Sequence, residues 1–450
     1  MNEVFDVAII GAGPAGMQAA NTAAENGCSV ILIEGYAQAG GQYFMRPLGG
    51  QNVPPLGDFP ILLNALVWGI FRDDDPDWRV ALFGLNQPKE IRARNLILAN
   101  GAFDSPIAFS GWSLPGVMTC GAALTLLKAQ RLALGTRALV TGTGPLLLSV
   151  ATHLIEAGVE VKAICEANRL LPRGISHAFT ALGQQQRMKE GAGYLKTILQ
   201  AGTPYKTGWS ILEARGTEQV EEASISKVDS NGRPSGSPQK LMVDLVVSGY
   251  GLTPNTGLAR MIGCDLEYRS DRGGWVPVRS GEMESSIAGV YVVGDGAGIG
   301  GAENSQLEGQ VAGVAASVRA GKLSAESAAT QIRQINPKLK KQQKFGAMLG
   351  DLFSPQAGLI SLAKDDTLLC RCEEVTLGEV KQAVLNGAKT LGEVKRLTRC
   401  GMGNCQGRMC ERSVSAAIVE ALASELTDEN VGYYKVRPPL HPIPQSVLAE

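Results

Sequence analysis

Five of the chain's nine cysteines fall between residues 370 and 410. They form a C-x-C pair, Cys370 and Cys372, followed by Cys400, Cys405 and Cys410. Thiolates at such spacing suit iron–sulfur clusters or zinc, and C-x-C makes zinc less natural because zinc knuckles usually use C-x2–4-C. In the cytosolic setting that we expect for this chain, clustered thiols bind metal more often than they pair as disulfides. The sequence therefore predicts a metal-cluster site in this region.

The cysteine region resembles the small helical [2Fe–2S] module of the bacterioferritin-associated ferredoxin type. In that module C-x-C is followed by two helices, and a second cysteine pair then enters a last helix. The sequence here predicts two short helices divided at residues 386–387 and a last helix starting near Glu411. Cys400 has the same C-x4-C spacing to Cys405 as Cys405 has to Cys410, so spacing does not exclude it as a ligand. The resemblance favours four ligands and leaves Cys400 spare: Cys370, Cys372, Cys405 and Cys410.

A glycine turn near the start of the chain has the residue types of a dinucleotide site. The first 35 residues predict a strand, a G-x-G-x-x-G turn, a helix and a second strand ending at Glu34. The first glycine allows a tight turn, the second lets N–H groups approach a pyrophosphate, and the third lets the helix pack on the strand. The helix N-terminus then faces the phosphates, and the glutamate takes the ribose hydroxyls. The predicted binding residues are Gly11, Gly13, Pro14, Ala15, Gly16 and Glu34.

The same pattern recurs in the middle of the chain with one change. Gly142 and Gly144 follow a predicted strand, and Glu166 ends the next strand. Leu147 takes the place of the third glycine, which holds helix and strand further apart. Two interpretations stay open: a working site for NAD, or a retained fold whose pocket is empty or holds another nucleotide such as ATP. If NAD were bound, Glu166 would repel the 2′-phosphate of NADP.

A third segment, "GVYVVGDGAG", resembles the second flavin fingerprint of flavoproteins with two dinucleotide-binding domains, whose aspartate hydrogen-bonds the ribityl chain. The segment "LILANGAFDSP" resembles the connection between the two domains, and "AGGQYFMRP" resembles the flavin-contacting loop, with an arginine that adds a cation near it. The resemblance covers residues 4–320 and implies FAD on the first domain. The further FAD-binding residues that it implies are Gly41, Gln42, Arg46, Gly101, Gly294 and Asp295.

These segments predict an α/β protein with two Rossmann-like dinucleotide-binding domains, one inserted in the other, and a small C-terminal helical [2Fe–2S] domain. The predicted FAD-binding domain comprises residues 1–110 and 278–330, and the inserted NAD-type domain comprises residues 111–277. The predicted remainder is a connecting segment at 331–365, the iron–sulfur domain at 366–430 and a proline-rich arm at 431–450.

Composition excludes several classes of function. The 42 basic and 43 acidic residues nearly cancel, so nothing steers the chain toward nucleic acid or an anionic membrane. The longest apolar stretch falls short of the ~18 residues of a membrane span, and the acidic N-terminus does not resemble a secretory signal. We therefore expect a cytoplasmic protein. The segment after Glu34 contains no cysteine, and the second domain has no C-x-x-C, so thiol–disulfide chemistry at a flavin is not expected.

Nearly the whole chain resembles the flavin and iron–sulfur alpha (or A) subunits of heteromeric bacterial amine dehydrogenases. That family includes opine oxidases, D-hydroxyproline and L-proline dehydrogenases, and hydrogen cyanide synthase. The motifs that carry the resemblance are "AGGQYFMRP", "LPGVMTCGAALTLLK", "CRCEEVTLGEV" and "GMGNCQGR". The resemblance implies that a beta subunit with its own FAD oxidises the amine C–N bond and that this chain passes the electrons onward. It also implies, as features of relatives, an FMN at the subunit interface and a small [2Fe–2S] gamma subunit.

Two other functions are compatible with the motifs. One is an autonomous NAD(P)H-dependent flavin and [2Fe–2S] reductase, with hydride entering at Gly142–Gly144. The other is a non-enzymatic iron–sulfur protein for redox sensing or cluster delivery. Reduction of the flavin by NADH distinguishes the first alternative, and turnover with an amine-oxidising partner excludes the second.

Overall fold

The computed structural model describes residues 3–46, 53–72, 76–170, 180, 183–422 and 426–448. The chain divides into two compact units. Unit 1 comprises Met1–Phe103, Thr253–Ala347 and Lys435–Glu450, and unit 2 comprises Asp104–Leu252 and Met348–Tyr434. The cysteine region therefore lies in the same unit as the inserted Rossmann-like fold. In the described ranges, every helix is too short or too polar to cross a membrane.

The strands, in chain order, are β1 Val4–Ile10, β2 Val30–Ile33, β3 Ile61–Leu62, β4 Leu66–Phe71, β5 Trp78–Phe83, β6 Glu90–Leu98, β7 Ala102–Asp104, β8 Val117–Thr119, β9 Arg137–Gly142, β10 Glu160–Glu166, β11 Tyr205–Thr207, β12 Trp209–Arg215, β13 Glu222–Lys227, β14 Gln239–Met242, β15 Leu245–Gly249, β16 Leu252–Pro254, β17 Leu266–Arg269, β18 Gly274–Pro277, β19 Val290–Val292, β20 Leu368–Cys370 and β21 Val375–Thr376.

The α-helices, in chain order, are α1 Pro14–Glu25, α2 Cys120–Leu124, α3 Leu146–Glu156, α4 Gln185–Gln200, α5 Gly257–Met261, α6 Ala302–Arg319, α7 Ala325–Phe353, α8 Leu377–Leu385, α9 Leu391–Thr398, α10 Glu411–Ala421 and α11 Asp428–Val431. One turn of π-helix at Thr125–Ala129 extends α2, and short 3-10 helices include Gly294–Ala297 and Ala357–Leu362.

Unit 1 is built on one mixed sheet in the order β3-β2-β1-β6-β5-β4, with β19 paired to β6. Strands β1, β2, β6 and β19 are parallel, and their apolar residues are buried almost throughout. Such continuous apolar runs are typical of parallel strands with both faces covered. The carboxyl ends of β1, β2 and β19 therefore lie at one edge of the sheet, where the first glycine turn, Glu34 and the Gly294–Ala297 turn begin.

Helices α1 and α6 lie against each other almost backbone to backbone in unit 1. A Cβ on Gly309 would collide with the carbonyl oxygen of Ala15, and one on Gly313 would lie 2.8 Å from that of Ala19. The small residues of these helices thus allow an approach that larger side chains would prevent. This packing fixes the first residues of α1 relative to the turn that precedes α6.

Unit 2 repeats the parallel arrangement with five strands in the order β11-β10-β9-β15-β8, next to an antiparallel sheet β12-β13-β14. The cysteine region follows, with a β20–β21 hairpin and helices α8, α9 and α10. Thr376 and Thr390 each form a capping box with the glutamate three residues later, which defines where α8 and α9 begin. The two predicted short helices are confirmed, and the last helix begins at Glu411 as predicted.

Candidate functional site: a flavin cradle and a cysteine cluster

The first glycine turn joins β1 to α1 in a conformation that excludes side chains. Gly11 has φ +103°, and a Cβ there would collide with the carbonyl oxygen of Ala99. A Cβ on Gly16 would collide with the carbonyl oxygen of Gly11. Helix α1 then starts at Pro14 with Gly13 as its N-cap residue. The turn therefore presents bare backbone and a helix N-terminus, which is the arrangement that holds a pyrophosphate.

Glu34 closes this turn from the end of β2. Its Oε2 accepts a hydrogen bond from the Ala12 N–H at 2.7 Å, and its Oε1 accepts one from the Tyr36 N–H at 3.0 Å. Burial raises the pKa of this carboxyl, although the backbone donors oppose the shift. The Glu34 side chain thus joins the glycine turn to the start of the loop after β2. The sequence predicts that the ribose binds at this position.

The loop that follows β2 lies across the glycine turn. Gly41 has φ +58°, and a Cβ there would lie 2.9 Å from the Cα of Gly13. The Arg46 guanidinium donates to the carbonyl oxygens of Ala39 at 3.0 Å and Phe44 at 3.2 Å. Arg46 therefore stabilises the loop from within, while Gln42, predicted to contact the flavin, is exposed.

The second predicted fingerprint lies beside the first. A Cβ on Gly294 would lie 2.9 Å from the Cβ of Ala15, so the turn after β19 packs on the start of α1. Asp295 Oδ1 accepts hydrogen bonds from the N–H groups of Gly300 and Gly301, both at 2.9 Å. Gly101 also adjoins this turn, because its carbonyl oxygen lies 3.3 Å from the position of a Cβ on Gly296. The separated sequence segments thus meet at one bare-backbone cradle that fits FAD.

A buried ion pair that sequence reasoning missed supports the second fingerprint. Glu308, fully buried on α6, accepts two hydrogen bonds from Arg279, at 2.7 and 2.8 Å, and one from the Gly294 N–H at 2.9 Å. Burial would raise the pKa of Glu308, but the charges of Arg279 and Arg272 bring it below its ordinary value. The signal in the sequence was a glutamate in the middle of α6, among small and apolar residues.

Replacing this glutamate should weaken both the fold and flavin retention. Glu308→Gln leaves Arg279 buried without its counter-charge, and removing one partner of a buried ion pair costs about 3–5 kcal/mol. We expect a lower free energy of unfolding and a lower FAD-to-protein ratio, measured by denaturant titration and absorbance. Glu267→Gln is the control, because Glu267 lies 3.9 Å from Arg269 in an exposed pair. Equal unfolding midpoints for both variants and the wild type would contradict the assigned role.

The second glycine turn, in unit 2, has the same construction. A Cβ on Gly142 would collide with the carbonyl oxygen of Gly249, and Leu147, at the third glycine position, is fully buried. Glu166 accepts hydrogen bonds from the Gly144 N–H at 2.8 Å and the Asn168 N–H at 2.9 Å. Burial raises the pKa of Glu166 from its ordinary 4.5 to about 7.

This shift predicts a pH dependence of stability. The folded chain holds the Glu166 proton more tightly than the unfolded chain, so the free energy of unfolding falls as pH rises from 4.5 to about 7. At about 1.4 kcal/mol per pKa unit, the loss is on the order of 3 kcal/mol. Glu166→Gln removes this contribution, so the stability difference between wild type and variant should change between pH 5 and pH 8. Denaturant titrations that give a constant difference over this range would contradict the shift.

The five cysteines of unit 2 lie in two neighbouring groups. The sulfur atoms of Cys370, Cys400 and Cys410 lie within 4.8 Å of one another and are buried. Cys372 is exposed and Cys405 half-buried, and the Cys405 N–H hydrogen-bonds the Cys372 sulfur. The thiols of Cys400 and Cys410 donate to Cys370 and lower the pKa of Cys370 to about 2. Donating to Cys370 raises the pKa of Cys400 to about 12 and that of Cys410 well above its ordinary value. The buried group therefore favours one thiolate, at Cys370, and thiolate is the form that ligates iron.

Tyr434 covers the buried group of sulfurs. Its hydroxyl donates to the Cys400 sulfur at 3.7 Å, and a Cβ on Gly401 or Gly407 would collide with its ring or lie within 3 Å of it. Glycines at these two positions therefore let the cysteine loop lie flat on the tyrosine. The predicted ligand set takes Cys370 and Cys410 from the buried group and Cys372 and Cys405 from the outer group, and it stays a prediction.

The cysteine region packs directly on the inserted fold within unit 2. The indole N–H of Trp112 donates to the Leu368 carbonyl oxygen at 2.7 Å, and the Arg371 guanidinium lies over the Trp112 ring at 5.2 Å. The Arg412 guanidinium donates to the Ser105 hydroxyl at 3.1 Å. The predicted cluster ligand Cys370 is thereby joined to the core of the inserted fold through its immediate neighbours.

Comparison with known proteins agrees with both parts of the site. Residues 5–321 match the family of pyridine nucleotide-disulphide oxidoreductases, and residues 368–420 match the BFD-like [2Fe-2S] binding domain. These matches define a flavin and iron–sulfur oxidoreductase whose cofactors are FAD and a [2Fe–2S] cluster.

Individual relatives narrow the class further. The A subunit of opine oxidase from Agrobacterium tumefaciens (strain Ach5) is 28% identical over 100% of this chain and 92% of its own length. The HcnB subunit of hydrogen cyanide synthase from Pseudomonas protegens is 30% identical over 98% of this chain and 96% of its own length. The crystal structure of L-proline dehydrogenase from P. horikoshii has the same fold, with a TM-score of 0.73 at 22% identity over 100% of this chain and 80% of that one. The chain belongs to the family of flavin and iron–sulfur subunits that includes HcnB and the opine oxidase A subunits.

Proposed function

We propose that this chain is the electron-transferring subunit of a heteromeric dehydrogenase or oxidase that acts on the C–N bond of an amino acid, imino acid or opine. In this proposal a beta subunit with its own FAD binds and oxidises the amine, and the present chain receives the electrons. An FMN at the subunit interface and a small [2Fe–2S] gamma subunit belong to the same proposal.

The observation that carries the proposal is the presence of a flavin cradle and a cysteine cluster in a chain without thiols beside the flavin turn. Residues 35–60, where the disulfide reductases of this superfamily carry a redox pair, contain no cysteine. Cys28 and Cys264, both in unit 1, are buried and hydrogen-bonded to serine hydroxyls. Transfer of electrons needs position and potential rather than acid–base groups. The two relatives named above are subunits of an opine oxidase and of a hydrogen cyanide synthase, and these names support the role of an oxidoreductase subunit.

The proposed roles of the residues follow from their contacts. FAD, when bound, exchanges electrons singly or in pairs, and a [2Fe–2S] cluster exchanges them singly. The glycine turn at residues 11–16 would hold the pyrophosphate and Glu34 would orient the ribose. Asp295, whose Oδ1 is held by two backbone donors, would bind the ribityl chain. The proposed cluster ligands are Cys370, Cys372, Cys405 and Cys410.

Purification of the tagged chain from its native cells tests the proposal. We expect a second flavoprotein subunit to co-purify in stoichiometric amount, and the complex to reduce a dye with one of octopine, nopaline, D-hydroxyproline, L-proline or glycine. The chain with Cys370→Ala is the control, because amine oxidation in the partner should survive while electron transfer through the cluster is lost. A chain that purifies alone and reduces the dye with NADH would instead be the autonomous reductase.

A further inference from the structure

The second nucleotide fold is covered by a segment of the same chain. Residues 352–356, here called the covering segment, comprise the last two residues of α7 and the three that follow it, all within unit 2. The Cβ of Phe353 lies 3.9 Å from the position of a Cβ on Gly144, the second glycine of the turn. At the first turn the corresponding neighbour of Gly13, at the same distance, is Gly41, which has no side chain. An aromatic residue therefore stands where a pyrophosphate would approach the backbone.

Asn168 binds the covering segment with its whole side-chain amide. Its Nδ2 donates to the carbonyl oxygens of Leu352 and Ser354, both at 3.1 Å, and its Oδ1 accepts from Gln356 Nε2 at 3.2 Å. Asn168 is 4% exposed and follows Glu166 by two residues. This is the end of the second strand, where a dinucleotide fold places the ribose of its ligand. The side-chain amide of Asn168 is thus hydrogen-bonded to the chain itself, through two carbonyl oxygens and the side chain of Gln356.

The far side of the covering segment is held as well. A Cβ on Gly232 would lie 2.9 Å from the Cβ of Gln356, and the Gly358 N–H donates to the Asn231 carbonyl oxygen at 2.8 Å. Asp229 shapes that loop, because its Oδ1 accepts from the N–H groups of Asn231 and Arg233. The covering segment therefore lies between the glycine turn and the loop at residues 229–233, with contacts on both faces.

We propose that the chain fills its second nucleotide fold with residues 352–356, so that unit 2 takes neither NAD(H), NADP(H) nor ATP. The fold instead forms the seat for the segment that leads into the cysteine region. The buried leucine at the third glycine position agrees with this, since a close helix–strand contact is not needed without a dinucleotide. The inference does not depend on the identity of the amine or on the existence of a partner subunit.

Nucleotide binding to the intact holoprotein is the first part of the test. Isothermal titration with NADH, NADPH and ATP is expected to show no saturation below about 1 mM, a limit that corresponds to about −4 kcal/mol of binding free energy. Stoichiometric binding of any of the three at micromolar concentration, with FAD retained, would overturn the proposal.

Hydrogen–deuterium exchange tests the contacts themselves. Asn168→Ala is expected to increase deuterium uptake in residues 350–358, and Asn386→Ala, at an exposed helix end, is expected to leave it unchanged. Gln356→Ala removes only one of the three side-chain hydrogen bonds and should give a smaller increase, so the test survives if Asn168→Ala fails to fold. Unchanged deuterium uptake in residues 350–358 of both Asn168→Ala and Gln356→Ala would contradict the proposal. Increased uptake there in the wild type on adding NADH would contradict it as well.

Discussion

Cys370→Ala is expected to purify with FAD but with almost no iron or acid-labile sulfide. The wild type should carry about two iron atoms per chain, the content of one [2Fe–2S] cluster. The variant loses them because the cluster requires four thiolates. Cys370 ends β20, and its sulfur lies within 4.8 Å of those of Cys400 and Cys410, at the centre of the buried group. Iron and sulfide analysis and the visible spectrum measure the loss, while FAD absorbance reports that unit 1 is intact.

Cys400→Ala is the matched control within the same group of sulfurs. The Cys400 sulfur lies within 4.8 Å of the sulfurs of Cys370 and Cys410. It also accepts a hydrogen bond from the Tyr434 hydroxyl. The predicted ligand set leaves Cys400 out, so we expect this variant to keep its iron. If Cys400→Ala loses the cluster and Cys405→Ala keeps it, the ligand set is wrong and Cys400 replaces Cys405.

Gly16→Ala is expected to reduce FAD retention more than tenfold, which corresponds to about 1.4 kcal/mol or more of binding free energy. The added methyl would collide with the carbonyl oxygen of Gly11, a backbone atom that cannot rotate away. The helix must therefore move from the strand, and overpacking of this kind costs about 1–3 kcal/mol of stability in addition. The FAD-to-protein ratio after gel filtration and the thermal midpoint measure the two effects.

Gly193→Ala controls for the general effect of adding a methyl group to a helix. Gly193 lies in the exposed part of α4 with no atom within 4 Å of its Cβ position. Alanine should stabilise that helix by up to about 1 kcal/mol and leave FAD retention unchanged. Full FAD retention by Gly16→Ala would contradict the assignment of the first turn as the flavin cradle.

Local patterns explain why much of the site was predictable. The spacing of Gly11, Gly13 and Gly16 and the position of Glu34 follow from the geometry of one strand–turn–helix unit, and the structure places them as that geometry requires. The start of α10 at Glu411 followed from helical periodicity after the last cysteine. Each of these features depends on residues close in sequence, so the pattern itself contains the information.

The features that sequence reasoning missed depend on residues far apart in the chain. Arg279 and Glu308 meet across 29 positions without any periodic pattern. Asn168 meets the covering segment across 184 to 188 positions. Most of helix α7 was predicted only as a connecting segment, because the composition of that stretch is mixed and basic. The sequence also did not predict which cysteines form the buried group, because the C-x4-C spacing occurs twice, at 400/405 and at 405/410. These contacts result from tertiary packing, which overrides local composition.

The central claim is that electrons enter this chain from an amine-oxidising partner and not from a nicotinamide. Its most direct test is the anaerobic visible spectrum of the purified chain, recorded after adding NADH and then after adding the partner subunit with its amine. The account predicts an unchanged flavin band with NADH and bleaching of flavin and cluster absorbance with the partner and amine. Bleaching by NADH alone would contradict it and would identify the second glycine turn as a working site.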